Sequence, residues 1–256
     1  GALHFRWSLS VASQIEGILH NFDKMSINTT PSIPYDLKDE EQVKKYLANL
    51  YVEFNYQCNE DKIPQGCHRL GDLIELVKKD FTKAGMVYKM NCDEHKYGPS
   101  CYKYAQYNLA GRGREKNLEE GLKYHSIGCE LGFTEACHVG GMLHMGNIVS
   151  DKSDPIKGAD FLARACEKKY SDSCARLGES YLTGKKQFQQ DKTKAFEYIK
   201  KACELENFLG CVNLSVMYKK GDGVTQNFEM AEMYKQKAQT IYDSMTNPKT
   251  KLQFGE

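Results

Sequence analysis

Ten cysteines are the residues best suited to chemistry in this chain, and they fall into five pairs: Cys58/Cys67, Cys92/Cys101, Cys129/Cys137, Cys166/Cys174 and Cys203/Cys211. The first members lie 34, 37, 37 and 37 residues apart, and the two members of a pair lie 8 or 9 apart. Thiols so placed could form structural bridges, exchange disulfides with a substrate, or hold a soft metal ion. Exchange sites usually set two thiols two residues apart, one of them acidified at a helix N-terminus. No C-x-x-C occurs here, although the second cysteine of each pair begins a helix. Zinc sites favour shorter ligand spacings. In Cys67-His68 and Cys137-His138 the neighbours point about 100° apart on a helix, so both do not easily serve one ion. Five equivalent copies favour a structural scaffold over exchange.

Other nucleophiles lack their partners. Ser126-Ile127-Gly128-Cys129, Ser150-Asp151-Lys152 and Ser153-Asp154-Pro155 all miss the S-x-x-K spacing that would pair a serine with a base. The covalent haem motif C-x-x-C-H is absent. No strand is evident, so no glycine-rich phosphate loop follows one.

The elements that position the cysteines recur with them. Three residues after each second cysteine stand Leu70, Tyr104, Gly140, Leu177 and Leu214, and four after it Gly71, Ala105, Gly141, Gly178 and Ser215, all small. Tyr181 and Tyr218 follow at plus seven, and Gly111, Gly184 and Gly221 at plus ten. This is a helix with one closely packable face, ended by glycine. In each second half, Val87, Tyr124, Phe161 and Tyr198 stand five residues before the terminal cysteine. Each unit therefore reads as helix, glycine-marked loop, helix. A fixed period of this length marks a stacked-repeat architecture.

Helix geometry decides how the cysteines pair. Eight residues of continuous helix separate two Cα atoms by roughly 12 Å, whereas a disulfide needs them within about 7 Å. A helix–turn–helix meets that limit. Turn residues stand between the members of each pair: Pro64 and Gly66, Gly98 and Pro99, Gly132, Ser171-Asp172-Ser173, and Asn207 with Gly210. The spacing predicts bridges Cys58–Cys67, Cys92–Cys101, Cys129–Cys137, Cys166–Cys174 and Cys203–Cys211, each worth about 2–3 kcal/mol on the chain-entropy model. In the last unit Tyr234 and Ala238 keep register, but Gln239 stands where a cysteine is due, and no further unit follows.

The pattern L-G-x-x-Y-x-x-G with K-A-C resembles Sel1-like repeats, most closely from Cys203 to Val224. The five cysteine pairs, the opening Asp39-Glu40-Glu41-Gln42-Val43-Lys44, the segment Phe54-Asn55-Tyr56-Gln57-Cys58 and the ending Leu252-Gln253-Phe254-Gly255 resemble a narrower family, cysteine-rich assembly factors of cytochrome c oxidase. That resemblance covers about residues 36–256. It implies an intermembrane-space factor of mitochondria supporting respiratory-complex assembly, chiefly of cytochrome c oxidase. Such a factor binds complex subunits or copper metallochaperones and is imported by the oxidoreductase of that compartment. The alternatives are a haem-dependent thiol-disulfide reductase acting on copper-chaperone cysteines, a secreted or luminal Sel1-type adaptor, and a β-lactam-binding cysteine-rich repeat protein. Binding is favoured over catalysis, and no cofactor is required.

Haem enters only through the resemblance, which implies two histidines seven residues apart on the first helix of the third repeat. Here His138 and His144 are six apart, turned to different faces, and Met145 holds the seven-spaced position. These three are the candidate haem-binding residues; the other reading makes His144 a packing residue in the tyrosine slot.

The expected fold is all-α, a right-handed α-solenoid of Sel1-like, TPR-related helix-turn-helix repeats stapled by disulfides. Residues 1–35 form a flexible leader, of which 1–24 read as non-native. Residues 36–66 hold a capping helix (about Leu37–Cys58) and turn. Five repeats span 67–100, 101–136, 137–173, 174–210 and 211–244, and 245–256 form a tail. The net charge of +1 offers no footprint for nucleic acid. No apolar run is long enough to span a membrane. Disulfides require an oxidising compartment. The intermembrane space is expected, with the endoplasmic reticulum lumen or secretion as the alternative raised by the sequons at Asn28 and Asn213. A monomer is expected. Of the sixteen tyrosines, those outside the repeat slots, Tyr97, Tyr102, Tyr107 and Tyr170, are candidate partner anchors.

Overall fold

A computed structural model describes residues 39–146, 152–184 and 188–246. The leader, the Asn28 sequon and the segment Leu252–Gly255 lie outside the described residues. Described residues form eleven α-helices and no strand. They divide into two compact units, Gly1–Gly66 and Cys67–Glu256.

The first unit contributes α1 (Glu40–Asn59). Asp39 caps it by accepting from the amides of Glu41 and Gln42, and Glu40 and Glu41 complement the positive end of the helix dipole. Its buried residues are Val43, Phe54 and Cys58.

The second unit is an α-solenoid. Its helices are α2 (Pro64–Leu73, entering from the first unit), α3 (Phe81–Asp93), α4 (Gly98–Ala110), α5 (Leu118–Glu130), α6 (Thr134–Met145), α7 (Pro155–Glu167), α8 (Ser171–Thr183), α9 (Lys192–Glu204), α10 (Phe208–Lys220) and α11 (Phe228–Thr246). Consecutive helices pack from α3 onward, so the core is a row of small clusters. The small residue at plus four is where paired helices approach. A Cβ on Gly178 would lie 2.5 Å from Ile199 Cγ1, and one on Gly141 2.8 Å from Leu162 Cγ. Ser215 uses the same closeness to donate to the Ala231 carbonyl at 2.7 Å.

The glycines at plus ten behave as read. Gly111, Gly184 and Gly221 follow their helices at φ of 67°, 57° and 74°, which only glycine adopts without strain. The first repeat departs. After Leu73 the chain widens into a π-helical turn, Ile74–Lys78, and closes through Lys79 at φ 52°.

Four bridges have defined geometry. Cys92–Cys101, Cys129–Cys137, Cys166–Cys174 and Cys203–Cys211 have Cα separations of 4.8, 4.4, 4.8 and 4.5 Å. Cys58 and Cys67 are also disulfide-bonded, and among the described residues no cysteine is free. The turns themselves differ from the reading. Gly98, Pro99, Ser171, Asp172, Ser173 and Gly210 already lie in the first turn of the following helix, where proline's missing N–H is harmless. The reversal is made by one left-handed residue per turn: Lys96, Gly132, Lys169 and Glu206. Lys62 has the same conformation in the first unit.

Candidate functional site

The sequence-predicted histidines sit on different faces of α6. His144 is 5% exposed, and both its ring nitrogens are engaged. The Asp154 amide donates to Nδ1 at 3.0 Å, so the ring proton must reside on Nε2, which faces Ser126 Oγ at 3.1 Å. Ser126 Oγ donates in turn to the Leu122 carbonyl at 3.0 Å. The serine proton thus points away from the imidazole, and the pair is not a nucleophile and its base. Burial, with Lys157 nearby, holds the His144 pKa below its ordinary value. Its ring meets Phe161 edge-on at 5.7 Å. In the next two repeats Tyr181 and Tyr198 stack at 5.8 Å, and Tyr218 and Tyr234 at 5.6 Å. His144 therefore occupies the aromatic packing slot.

His138 faces the neighbouring repeat. Its Nδ1 lies 2.8 Å from Ser173 Oγ and its ring packs on Tyr170 at 4.6 Å. Met145 packs with Ala159, Leu162 and Leu177, its sulfur 3.9 Å from Ser180 Oγ. The three residues do not form one ligand set. His144 has no free nitrogen lone pair and Met145 is directed into α7 and α8, so the residues present do not fit haem. Among the described residues, no group of three His, Cys, Asp or Glu side chains is placed to hold a metal.

The Cys-His pairs instead mark a repeated joint. His68, like His138, follows the second cysteine of its pair. His68 Nδ1 meets Ser100 Oγ at 2.9 Å and its ring meets Tyr97 edge-on at 5.5 Å. Asn91 Nδ2 also donates to Ser100 Oγ at 2.7 Å, and His68 Nε2 faces Asp72 at 3.7 Å. The result looks like a serine triad, but Ser100 and Ser173 are wholly buried. They tie repeats together. Sequence reading missed this joint, whose signal is a serine just before the cysteine one repeat later.

Of the four tyrosines outside the repeat slots, Tyr107 is buried, while Tyr97, Tyr102 and Tyr170 are half-buried and pack one side of their rings within the repeats. Tyr97 and Tyr170 are the N-cap residues of α4 and α8, lying against His68 and His138. Tyr102 meets His125 and Phe133, each at 5.4 Å. Tyr107 is 2% exposed and meets Tyr88 edge-on. Helix N-caps favour polar residues, so aromatics there report packing across the joint.

A charged cluster surrounds the π-helical turn. Glu75 accepts from Arg112 at 2.8 Å, Lys103 at 3.1 Å and the Tyr88 hydroxyl at 3.2 Å. Burial opposes its ionisation, but Lys103 and the Tyr88 hydroxyl hold its carboxyl below the usual range.

Concave surface appears on the later repeats. A groove of about 610 Å³ is lined by Glu119, Lys123, Ser126, Glu130, His144 and Lys157. A second, of about 370 Å³, has Ile156, Tyr181 and Phe188 with Lys194 beside them. The first runs along α5 beside the start of α7, and the second lies at the starts of α7 and α9. In the first, Lys123, Lys152 and Lys157 are balanced by Glu120, Glu119 and Glu130. That surface suits a polypeptide better than a polyanion.

The stapled helix pairs, the close-approach residue and the glycine cap define a Sel1-repeat protein. The Sel1 repeat family profile matches residues 98–133, 136–170, 171–207 and 209–238. A Sel1 repeat protein from Oxalobacter formigenes superposes with a TM-score of 0.65 at 19% identity, covering 77% of this chain and 84% of that one. Curated relatives narrow the assignment: cytochrome c oxidase assembly factor 7 of Xenopus tropicalis is 39% identical over 230 residues, 86% of this chain and 98% of that protein. The human protein of the same name is 38% identical over 226 residues, again covering 98% of it. The chain belongs to the cytochrome c oxidase assembly factor 7 family.

Proposed function

We propose that this protein is a mitochondrial intermembrane-space factor supporting assembly of respiratory-chain complexes, chiefly cytochrome c oxidase. It acts by binding. A disulfide-stapled scaffold holds a complex subunit or a copper metallochaperone, and the two repeat-related grooves are the concave surfaces available for it. The observation that supports this most is the match to nearly the whole length of vertebrate proteins carrying that name. Bonded cysteines in every described repeat call for an oxidising compartment, and the import oxidoreductase of the intermembrane space is the catalyst that closes them.

The reductase alternative has less support. The described cysteines are bonded, and each is at most 3% exposed, so none presents a thiolate to a substrate. The luminal alternative meets a half-buried Asn213 within α10, beside the wholly buried Leu214. The test is complementation. Expressed in cells lacking their own relative, this chain restores assembled cytochrome c oxidase and survives protease until the outer membrane is opened. Restored localisation without restored oxidase contradicts the assignment.

A further inference from the structure

Aromatic rings carried by the first helices of three successive repeats gather beside the joint at His138. Tyr102 of α4 lies 5.4 Å from Phe133, the N-cap residue of α6. His138 of α6 lies 4.6 Å from Tyr170, the N-cap residue of α8. All four rings are half-buried, so each keeps part of its surface in water. Leu131, 40% exposed, stands just before them in the turn. The hydroxyls of Tyr88 and Tyr124 are bonded to Asp72 and Asp93. Those of Tyr102 and Tyr170 have no such partner among the described residues.

Two exposed carboxylates flank these rings, Glu135 in the first turn of α6 and Asp172 in the first turn of α8. Acids at the same place in other helices are ion-paired: Glu40 and Glu41 with Lys44, Glu119 with Lys152, and Glu120 with Lys123. Among the described residues Glu135 has no ion pair, and Asp172 has the neutral Asn207 amide, 2.7 Å away. The nearby cations are spoken for. Arg176 is paired with Glu179 at 3.5 Å, and Lys103 is held by Asp72 and Glu75. In the surrounding turns Glu94, Glu130 and Glu167 stand against Lys96, Lys168 and Lys169, so the local excess is the two unpaired acids. Tyr170 registers that excess. Its pKa is raised first by burial, then by the Asp172 carboxylate, the Tyr102 hydroxyl and the Glu135 carboxylate, with no cation acting against them.

An aromatic face beside a carboxylate suits a guanidinium, which stacks on the ring and donates in a fork to the acid. An ammonium gains the charge attraction without the stacking or the fork. We propose that Tyr102, Phe133 and Tyr170, with Glu135 and Asp172, form a surface that takes arginine side chains of a partner polypeptide. The occupant is basic because the unpaired charges are acidic, and arginine is preferred to lysine because rings adjoin those charges. None of these five residues lines either groove. The surface gives the binding role proposed above a partner chemistry. It is tested with peptides alone, so its failure and a failure to restore oxidase are separate results.

The test is fluorescence anisotropy of labelled hexa-arginine with the full chain at low ionic strength. Hexa-arginine is expected to bind, hexa-lysine roughly fivefold more weakly, and hexa-glutamate not at all. Glu135→Gln with Asp172→Asn is expected to weaken hexa-arginine binding roughly tenfold. Tyr102→Leu should weaken it roughly threefold and Tyr102→Phe leave it unchanged, since the guanidinium uses the ring face. Glu197→Gln with Glu204→Gln, which removes the same charge from exposed positions of α9, is expected to change affinity by less than about twofold. Absence of hexa-arginine binding overturns the proposal. So does binding that survives the Glu135 and Asp172 substitutions, that falls equally with the two α9 acids, or that hexa-lysine matches. An equal loss in Tyr102→Phe and Tyr102→Leu also overturns it. Circular dichroism of each variant confirms the fold.

Discussion

His138 Nδ1 and Ser173 Oγ lie 2.8 Å apart across 35 residues of chain, and His68 and Ser100 repeat the contact at 2.9 Å across 32. Each pair joins the first helix of one repeat to the first helix of the next, α2 to α4 and α6 to α8, next to bonded cysteines. The joint between repeats thus combines a covalent link with a buried polar contact.

Removing one partner tests the contact. His138→Ala leaves the buried Ser173 hydroxyl without its partner and is expected to lower stability by about 1–2 kcal/mol. Ser173→Ala should cost less, and the double variant no more than His138→Ala alone. Urea denaturation midpoints measure all three.

The bridges are expected to contribute individually. In a solenoid each unit contacts mainly its neighbours, so replacing both members of Cys166–Cys174 or of Cys203–Cys211 by serine should cost about 2.5 kcal/mol apiece. Neither should abolish partner binding at temperatures where the protein stays folded. Loss of function from one pair alone, with the fold retained, would point to exchange chemistry.

Stability should fall on acidification well before the carboxylates titrate. His125 is wholly buried and neither of its ring nitrogens finds a partner among the described residues. Burial pushes its pKa from 6.5 down to about 3. Below pH 6.5 the unfolded chain takes up a proton that the folded chain refuses. Stability is therefore full above 6.5 and is lost as the pH drops toward 3, by about 4–5 kcal/mol at the limit. His68, His138 and His144, whose pKa values are lowered chiefly by burial, act in the same direction. His125→Phe should flatten the dependence between pH 6 and 4, read as urea midpoint against pH. An unchanged slope would contradict the assignment.

The inter-repeat turns can be improved. Lys96, Lys169 and Glu206 hold left-handed backbone at φ of 52°, 64° and 60°. Lys169→Gly is expected to raise stability by about 0.5–1 kcal/mol, relief of strain outweighing the added chain entropy. Gly132→Ala, at φ 84°, should do the reverse. Thermal melts check both.

The repeat architecture was legible because its signals are local and periodic. The small residue at plus four, the glycine at plus ten and the polar Gln239, which is exposed and donates to Asp243 at 2.8 Å, each report their own helix. The left-handed lysines were not legible, because nothing in a lysine announces φ above zero; the helix C-terminal turn imposes it, at Lys79 as at Lys96 and Lys169. Nor was the π-helical turn, which replaces a missing glycine cap. The joints at His68 and His138 escaped because their partners stand a whole repeat away. For the same reason the packing of Tyr97 and Tyr170 against those joints could not be placed from sequence.

The central claim is a stapled scaffold that binds without exchanging thiols. Mapping disulfide-linked peptides under non-reducing conditions, on protein isolated with thiols blocked at lysis, tests it most directly. The account predicts no blocked thiol and linked peptides joining Cys92 to Cys101, Cys129 to Cys137, Cys166 to Cys174 and Cys203 to Cys211. One pair found reduced or in mixed linkage while the others are closed would contradict it and mark that pair as reactive.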